Sequence, residues 1–319
     1  MRSWIYSSAE VCSPLHCRRY PVIVVLAVFL VLEGCSIRQY AVTTIGDVLA
    51  SGGSLYESDE DIVLIGDALP FSLKLLESLL AESPHHRGLL LSATRGFVLY
   101  AYAYVYDEAE HLAQEDVHRA RALRDRARRL YLRAVRYALR ALAHAYPGFA
   151  EQLSSQPHVA VQKIGMDTLD RDVPFLYWTA VALGLAISVS KHEPSMLARL
   201  PEVEALLDRA MVLHEAWNAG ALHEFKITWM AAQGARGDPQ EIRRHYERAL
   251  TLSQGRRASI HVAYAEAVAL PNQDRMAFMA LMHKALAVDL EADPEHRLLN
   301  MIAQRRARWL LERVDELFL

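Results

Sequence analysis

Leu207-Asp208-Arg209-Ala210, Tyr246-Glu247-Arg248-Ala249 and Met282-His283-Lys284-Ala285 each set a large apolar residue three positions before an alanine. The alanines stand 39 and 36 residues apart, and Leu213, Leu252 and Ala287 follow at the next apolar positions. A fourth copy, Tyr131-Leu132-Arg133-Ala134, precedes Ala210 by 76 residues, about two such periods. Positions i and i+3 share one face of a helix, and a small alanine suits a place where two helices approach closely. A repeat of this length is that of a helix pair that buries its face on the next pair. The spacing therefore predicts an all-α fold built as an array of antiparallel helix hairpins.

The surrounding sequence agrees. Alanine, leucine and arginine dominate, and no alternating apolar run is bounded by turn residues as a strand requires. Tyr100, Tyr102, Tyr104 and Tyr106 do alternate, but Ala101, Ala103 and Val105 between them make both faces apolar, and the flanks favour a long buried helix. Asp238-Pro239-Gln240-Glu241 supplies an aspartate cap, a proline in the first turn and a glutamate three residues on. Asp293-Pro294 repeats the first half of that device, and Pro174 and Pro201 open further apolar-periodic stretches. Pro70, inside the run from Ile62 to Leu80, is expected to kink or break a helix. The array resembles degenerate tetratricopeptide (TPR)-like repeats: Trp178 with Ala182 and Leu185 fits the first-helix pattern, but prolines after the second helices are missing. An irregular array is expected, not a regular superhelix.

The N-terminus reads differently. Arg18 and Arg19 precede Pro21 to Leu32, an uncharged apolar run, and Leu32-Glu33-Gly34-Cys35 closes it. Twelve residues cover roughly 18 Å of helix, short of a ~30 Å hydrocarbon core, so the run reads as a removed signal and not as an anchor. The segment resembles a bacterial lipobox, which implies that the Cys35 thiol is diacylated and becomes the new N-terminus. Glu33 stands where that pattern usually has a small apolar residue. The expected organisation is a lipoprotein signal peptide over 1–34, a tether and first helix over 35–60, and the helical repeat domain over 61–319. Cys12 and Cys17 leave with the signal, so Cys35 alone remains and no internal disulfide is available. The signal carries three arginines against two glutamates, which moves the net charge from −3 to −4 and argues against nucleic-acid binding.

Several segments in order resemble the T component associated with tripartite ATP-independent periplasmic (TRAP) transporters. They are Asp67-Ala68-Leu69-Pro70-Phe71, Asp172-Val173-Pro174-Phe175-Leu176-Tyr177-Trp178, Gly220-Ala221-Leu222-His223-Glu224, Tyr246-Glu247-Arg248-Ala249-Leu250, and Arg297-Leu298-Leu299-Asn300 through Ala303-Gln304-Arg305-Arg306-Ala307. The likeness covers essentially the whole chain after the signal. It implies cryptic TPR-like repeats, a homotrimer with apolar pores, a periplasmic location, and binding to the solute-receptor (P) component.

Candidate ligand-contacting residues are Tyr100, Tyr104, Tyr177, Trp178, His223 and Trp229, since rigid rings shape apolar pockets while polar tips orient a guest. Filling of helix seams is the competing role for each of them. Nine arginines lie between Arg119 and Arg140, where Arg129, Arg133, Arg136 and Arg140 form a stripe. Acidic residues from Asp107 to Asp116 offer it internal partners, while an acidic protein or anionic headgroups would be external ones. No HExxH set, GxSxG elbow or phosphate-cradling glycine loop occurs, so neither catalysis, a metal nor a cofactor beyond the lipid on Cys35 is expected. The expected role is that of a lipid-anchored accessory protein that docks a solute receptor and carries or passes a small hydrophobic ligand. The alternative is a general helical-repeat scaffold for envelope complexes without ligand binding.

Overall fold

The computed structural model describes residue 44 and residues 46–48, 56–233 and 238–318. The chain divides into two units, 1–45 and 46–319. The signal and Cys35 lie outside the described residues, and the helices from Ile62 onward all belong to the second unit.

Among the described residues there are helices and no strand. Helix α1 (Ile62–Glu82) starts at Asp61, whose carboxylate accepts from the Val63 and Leu64 N–H groups. It runs on through Pro70, so the expected break does not occur. A mid-helix proline costs about 3 kcal/mol. Ile65 and Leu69 before it and Leu73 and Leu80 after it are all buried, at roughly 1.5–3 kcal/mol each. Burial on both sides outweighs the lost hydrogen bond.

Helix α2 (Arg87–Tyr100) continues through a π turn, Ala101–Tyr106, into α3 (Asp107–His111). The tyrosine alternation is therefore helical, and its period of two has a tertiary cause. Ala101 and Val105 join the main core, whereas Ala103 joins a second cluster with Leu298 and Ile302. The helix is buried on two faces, which a period count reads as a strand.

The remaining helices are α4 (Val117–Ala145), α5 (Phe149–Ser155), α6 (Pro157–Gln162), α7 (Leu169–Ser188), α8 (Pro194–Leu197), α9 (Leu200–His214), α10 (Ala221–Ala232), α11 (Pro239–Ser253), α12 (Ala258–Tyr264, extended by a π turn over Ala265–Ala269), α13 (Arg275–Leu286), α14 (Arg297–Glu312) and α15 (Val314–Leu317). Asp238 caps α11 by accepting from the Gln240 N–H, with Pro239 in the first turn as expected. Asp293 makes no such cap; it opens a short 3₁₀ turn and meets His296 instead. Pro174 sits within α7 and does not open it.

Helices α2 with α4, α7 with α9, α10 with α11, and α12 with α13 pack as neighbours. Their first members α2, α7, α10, α12 and then α14 also touch in succession, and α14 reaches α1. The repeated alanines fall on the second members: Ala134, Ala210, Ala249 and Ala285 are all fully buried, on α4, α9, α11 and α13. Ala287, the third trailing position of the repeat, is exposed just beyond the end of α13. Thus the pattern locates close helix contacts correctly until the helix runs out.

Candidate functional site

Helices α2, α7 and α10, with the turn before α10, carry one aromatic and ion-paired wall. Tyr177 on α7 is 8% exposed, and its ring lies 5.1 Å from Trp178 and 4.9 Å from Trp217 between centroids. Phe225 on α10 joins it at 6.4 Å and stacks on Trp229 at the same spacing. Edge and offset contacts of this kind hold rings rigidly. The Arg95 guanidinium on α2 sits 5.8 Å from the Trp178 ring and pairs with Glu57. Burial pulls the Arg95 pKa down.

Trp217 is presented by an unusual turn. Asn218, Ala219 and Gly220 all have positive φ, which non-glycine residues rarely adopt. Arg257 donates to the Asn218 carbonyl at 2.9 Å, and the Asn218 side chain meets His296 at 3.1 Å. Arg257 is 5% exposed and sits 2.9 Å from Glu224, outside hydrogen-bond alignment, so that contact is Coulombic. The strained turn is thereby over-determined by its neighbours.

Both π turns face the same region. Tyr102, in the first, is 40% exposed, yet burial pushes its phenol up to about 12, against the opposing pull of Arg306. Glu266, in the second, pairs with Arg306 at 2.7 Å. The Tyr131 hydroxyl, fully buried near Tyr102 and Tyr106, has no hydrogen-bond partner among the described residues. Widening of the helix at a π turn frees backbone carbonyls; that of Ala103 accepts from Arg305 at 2.5 Å, and Arg305 also meets Asp107 at 3.2 Å.

Of the six candidate residues, Tyr177, Trp178 and Trp229 belong to this one cluster. Tyr100 and Tyr104 stack on each other at 5.9 Å elsewhere, at the seam of α1, α2 and α14. Tyr104 donates to the Ile62 carbonyl at 2.7 Å, and the Tyr100 hydroxyl accepts from Arg126 at 3.1 Å. His223 is 4% exposed and lies apart, between α10 and α11. Its Nε2 meets Glu215 at 3.1 Å and its Nδ1 meets Nδ1 of His245 at 2.7 Å. A carboxylate only accepts, so His223 carries its proton on Nε2, and His245 donates across the pair. Arg248 forks onto Glu215 at 2.8 Å on both oxygens, and that contact first, with His223 after it, pulls Glu215 down to about 2.

Sequence reasoning missed Tyr102, Arg95, Arg257, Glu224, Glu266 and Arg306. Tyr102 was visible in the tyrosine run, and Glu224 and Arg306 stand in family-like segments, but the ion pairs gave no signal, because their partners are distant in sequence. Asp172, in a family-like segment, proves structural: it is fully buried and accepts from Arg87 (2.5 Å), Arg171 (2.8 Å) and Tyr146 (2.7 Å). Burial alone would raise its pKa, but the hydrogen bonds from Arg171 and Tyr146 and the Arg87 charge hold it lower. Among the described residues, no cluster of three His, Cys, Asp or Glu side chains could hold a metal, and no helix is long and apolar enough to cross a membrane.

The chain is 29% identical over 306 residues to a Treponema pallidum (strain Nichols) protein described only as uncharacterized, an alignment that covers 91% of this chain and 95% of that one. Residues 58–318 match the family described as TRAP transporter T-component, so almost every helix lies inside the matched region. The chain belongs to the TRAP transporter T-component family.

Proposed function

We propose that this protein is an envelope-associated, non-enzymatic accessory component of a TRAP transporter, docks the solute-receptor (P) component, and holds a small, largely apolar ligand. The single observation that carries the reading is the family match across residues 58–318. The aromatic group of Tyr177, Trp178, Trp217 and Phe225 supports the ligand role: the rings offer an apolar contact surface, and Tyr102 and the ion-paired arginines offer a polar end. The ligand best suited to such a wall has an apolar body and a hydrogen-bonding head. Diacylation of Cys35 would tether the chain in the periplasm, and the family resemblance adds a trimer of TPR-like hairpin arrays.

The test is capture of the tagged chain from its native envelope, with partners identified by mass spectrometry and bound molecules by native mass spectrometry. Recovery of a solute receptor and of a co-purified amphiphile supports the reading. A capture that repeatedly lacks any solute receptor overturns docking, and protein without bound molecules overturns ligand carriage.

A further inference from the structure

We propose that the outer face of α4 is a docking surface for the phosphate headgroups of an anionic lipid bilayer. Arg126, Arg129, Arg133, Arg136 and Arg140 follow one another at spacings of three and four, so they share a single face. The stripe is about 21 Å long. Its inward side is fixed by Ala127, Tyr131, Ala134, Val135 and Ala138, all buried, which leaves the arginines pointing away from the core.

Internal pairing accounts for only part of the arginine run. Arg119 meets Glu108 at 2.5 Å, Arg124 meets Glu110 at 3.1 Å and Arg128 meets Glu193 at 3.0 Å, all off the stripe. On the stripe, Arg133 alone meets a carboxylate among the described residues, that of Glu77 at 2.5 Å. Arg126 and Arg140 lie over the Tyr100 and Tyr137 rings, at 5.6 and 5.2 Å. Arg129 and Arg136 are exposed and meet no carboxylate among the described residues, Asp125 one turn away included. Arg126, Arg129, Arg133 and Arg136 surround a surface groove of about 370 Å³, which Leu130 and Leu132 also line.

Guanidinium groups that stay charged and ring-stacked present forks that match phosphate oxygens in pairs. The groove itself argues for a lipid surface over an acidic protein. Leu130 and Leu132, both half-buried, line it among the arginines. Basic side chains interleaved with apolar ones are the composition of an interfacial membrane contact. The inference does not depend on the lipid at Cys35.

The test uses the full chain with vesicles of phosphatidylcholine alone or with added phosphatidylglycerol, titrated below half-saturation. The N-terminal segment is common to all variants, so differences between them report the stripe. Each arginine near an anionic surface strengthens binding about fivefold. Arg129→Gln/Arg136→Gln/Arg140→Gln is expected to lose at least about tenfold of the preference for the phosphatidylglycerol vesicles, with unchanged helicity by circular dichroism. Arg243→Gln/Arg244→Gln/Arg275→Gln, which removes three charges elsewhere, is expected to keep it, and added salt should erase it. Three results overturn the proposal: no vesicle preference in the parent chain, equal loss in both variants, or polyglutamate that binds the stripe more tightly than the vesicles do.

Discussion

Replacing Gly220 by alanine tests the close approach of the turn before α10 to Ala249 on α11. Gly220 has φ +86°, and a Cβ built there would lie 3.0 Å from the Ala249 carbonyl oxygen and 3.1 Å from the Ala249 Cα. Two costs add. A left-handed backbone costs an L-residue about 1–2 kcal/mol. The clash is with backbone of α11, which cannot swing aside as a side chain can, and overpacking of that kind costs about 1–3 kcal/mol. Gly148 provides an internal control, because its φ is +76° but no atom lies within 4 Å of the same built Cβ. Gly148→Ala should therefore lose only about 1–2 kcal/mol, while Gly220→Ala should lose about 2–5 kcal/mol. Urea unfolding followed by far-ultraviolet circular dichroism measures both, and tryptophan emission adds a local report because Gly220 ends the turn that presents Trp217. If Gly220→Ala proves no more damaging than Gly148→Ala, the backbone contact at Ala249 does not exist, and the repeated alanine has lost its stated purpose.

Three further outcomes rest on the same geometry. Ala249→Leu, at a fully buried contact, should cost about 1–3 kcal/mol in urea unfolding, whereas Ala287→Leu, at the exposed trailing position of the third copy, should stay within about 0.5 kcal/mol. Burial pulls both His245 and His261 down to about 4, so the folded state keeps them neutral. Such a group adds stability that is whole above the unfolded value near 6.5 and declines as pH falls toward 4, so the urea midpoint should drop steadily across that window; a flat profile would contradict their burial. Tyr102→Phe should leave stability within about 0.5 kcal/mol, since the hydroxyl has no protein partner among the described residues, but should change the mass profile of any co-purified molecule.

Local rules revealed what depends on spacing. The three apolar-xx-alanine motifs located Ala210, Ala249 and Ala285 at buried helix contacts, and Asp238-Pro239 located a helix start, because both are signals contained within one turn of chain. Two expectations failed for the opposite reason. Pro70 stays helical because core contacts on both sides of it hold the helix, and Asp293 caps nothing because His296 claims its carboxylate. The site was half legible. Tyr177 and Trp178 announced themselves as adjacent large rings, but the Arg257–Glu224 and Arg306–Glu266 pairs span 33 and 40 residues, and no pattern in a single sequence joins such partners. Tyr100 and Tyr104 were grouped with them on residue type, yet both fill the seam between α1 and α14.

The wall sets ion pairs beside its rings, and what they contribute can be measured. Burying an ion pair roughly breaks even against apolar side chains of similar volume, whereas removal of one partner strands a charge and costs about 3–5 kcal/mol. Arg257 and Glu224 are both largely buried, so Arg257→Met should be strongly destabilising in urea. Arg257→Met combined with Glu224→Leu should regain most of that loss, apart from about 1–3 kcal/mol for the Asn218 carbonyl left without its donor. If the pair serves mainly to keep the interior polar, the double variant should fold well and yet retain purely apolar molecules in place of amphiphiles. A double variant as unstable as Arg257→Met alone would mean that the arginine acts through the strained turn and not through its charge partner, and the polar end of the site would then need another origin.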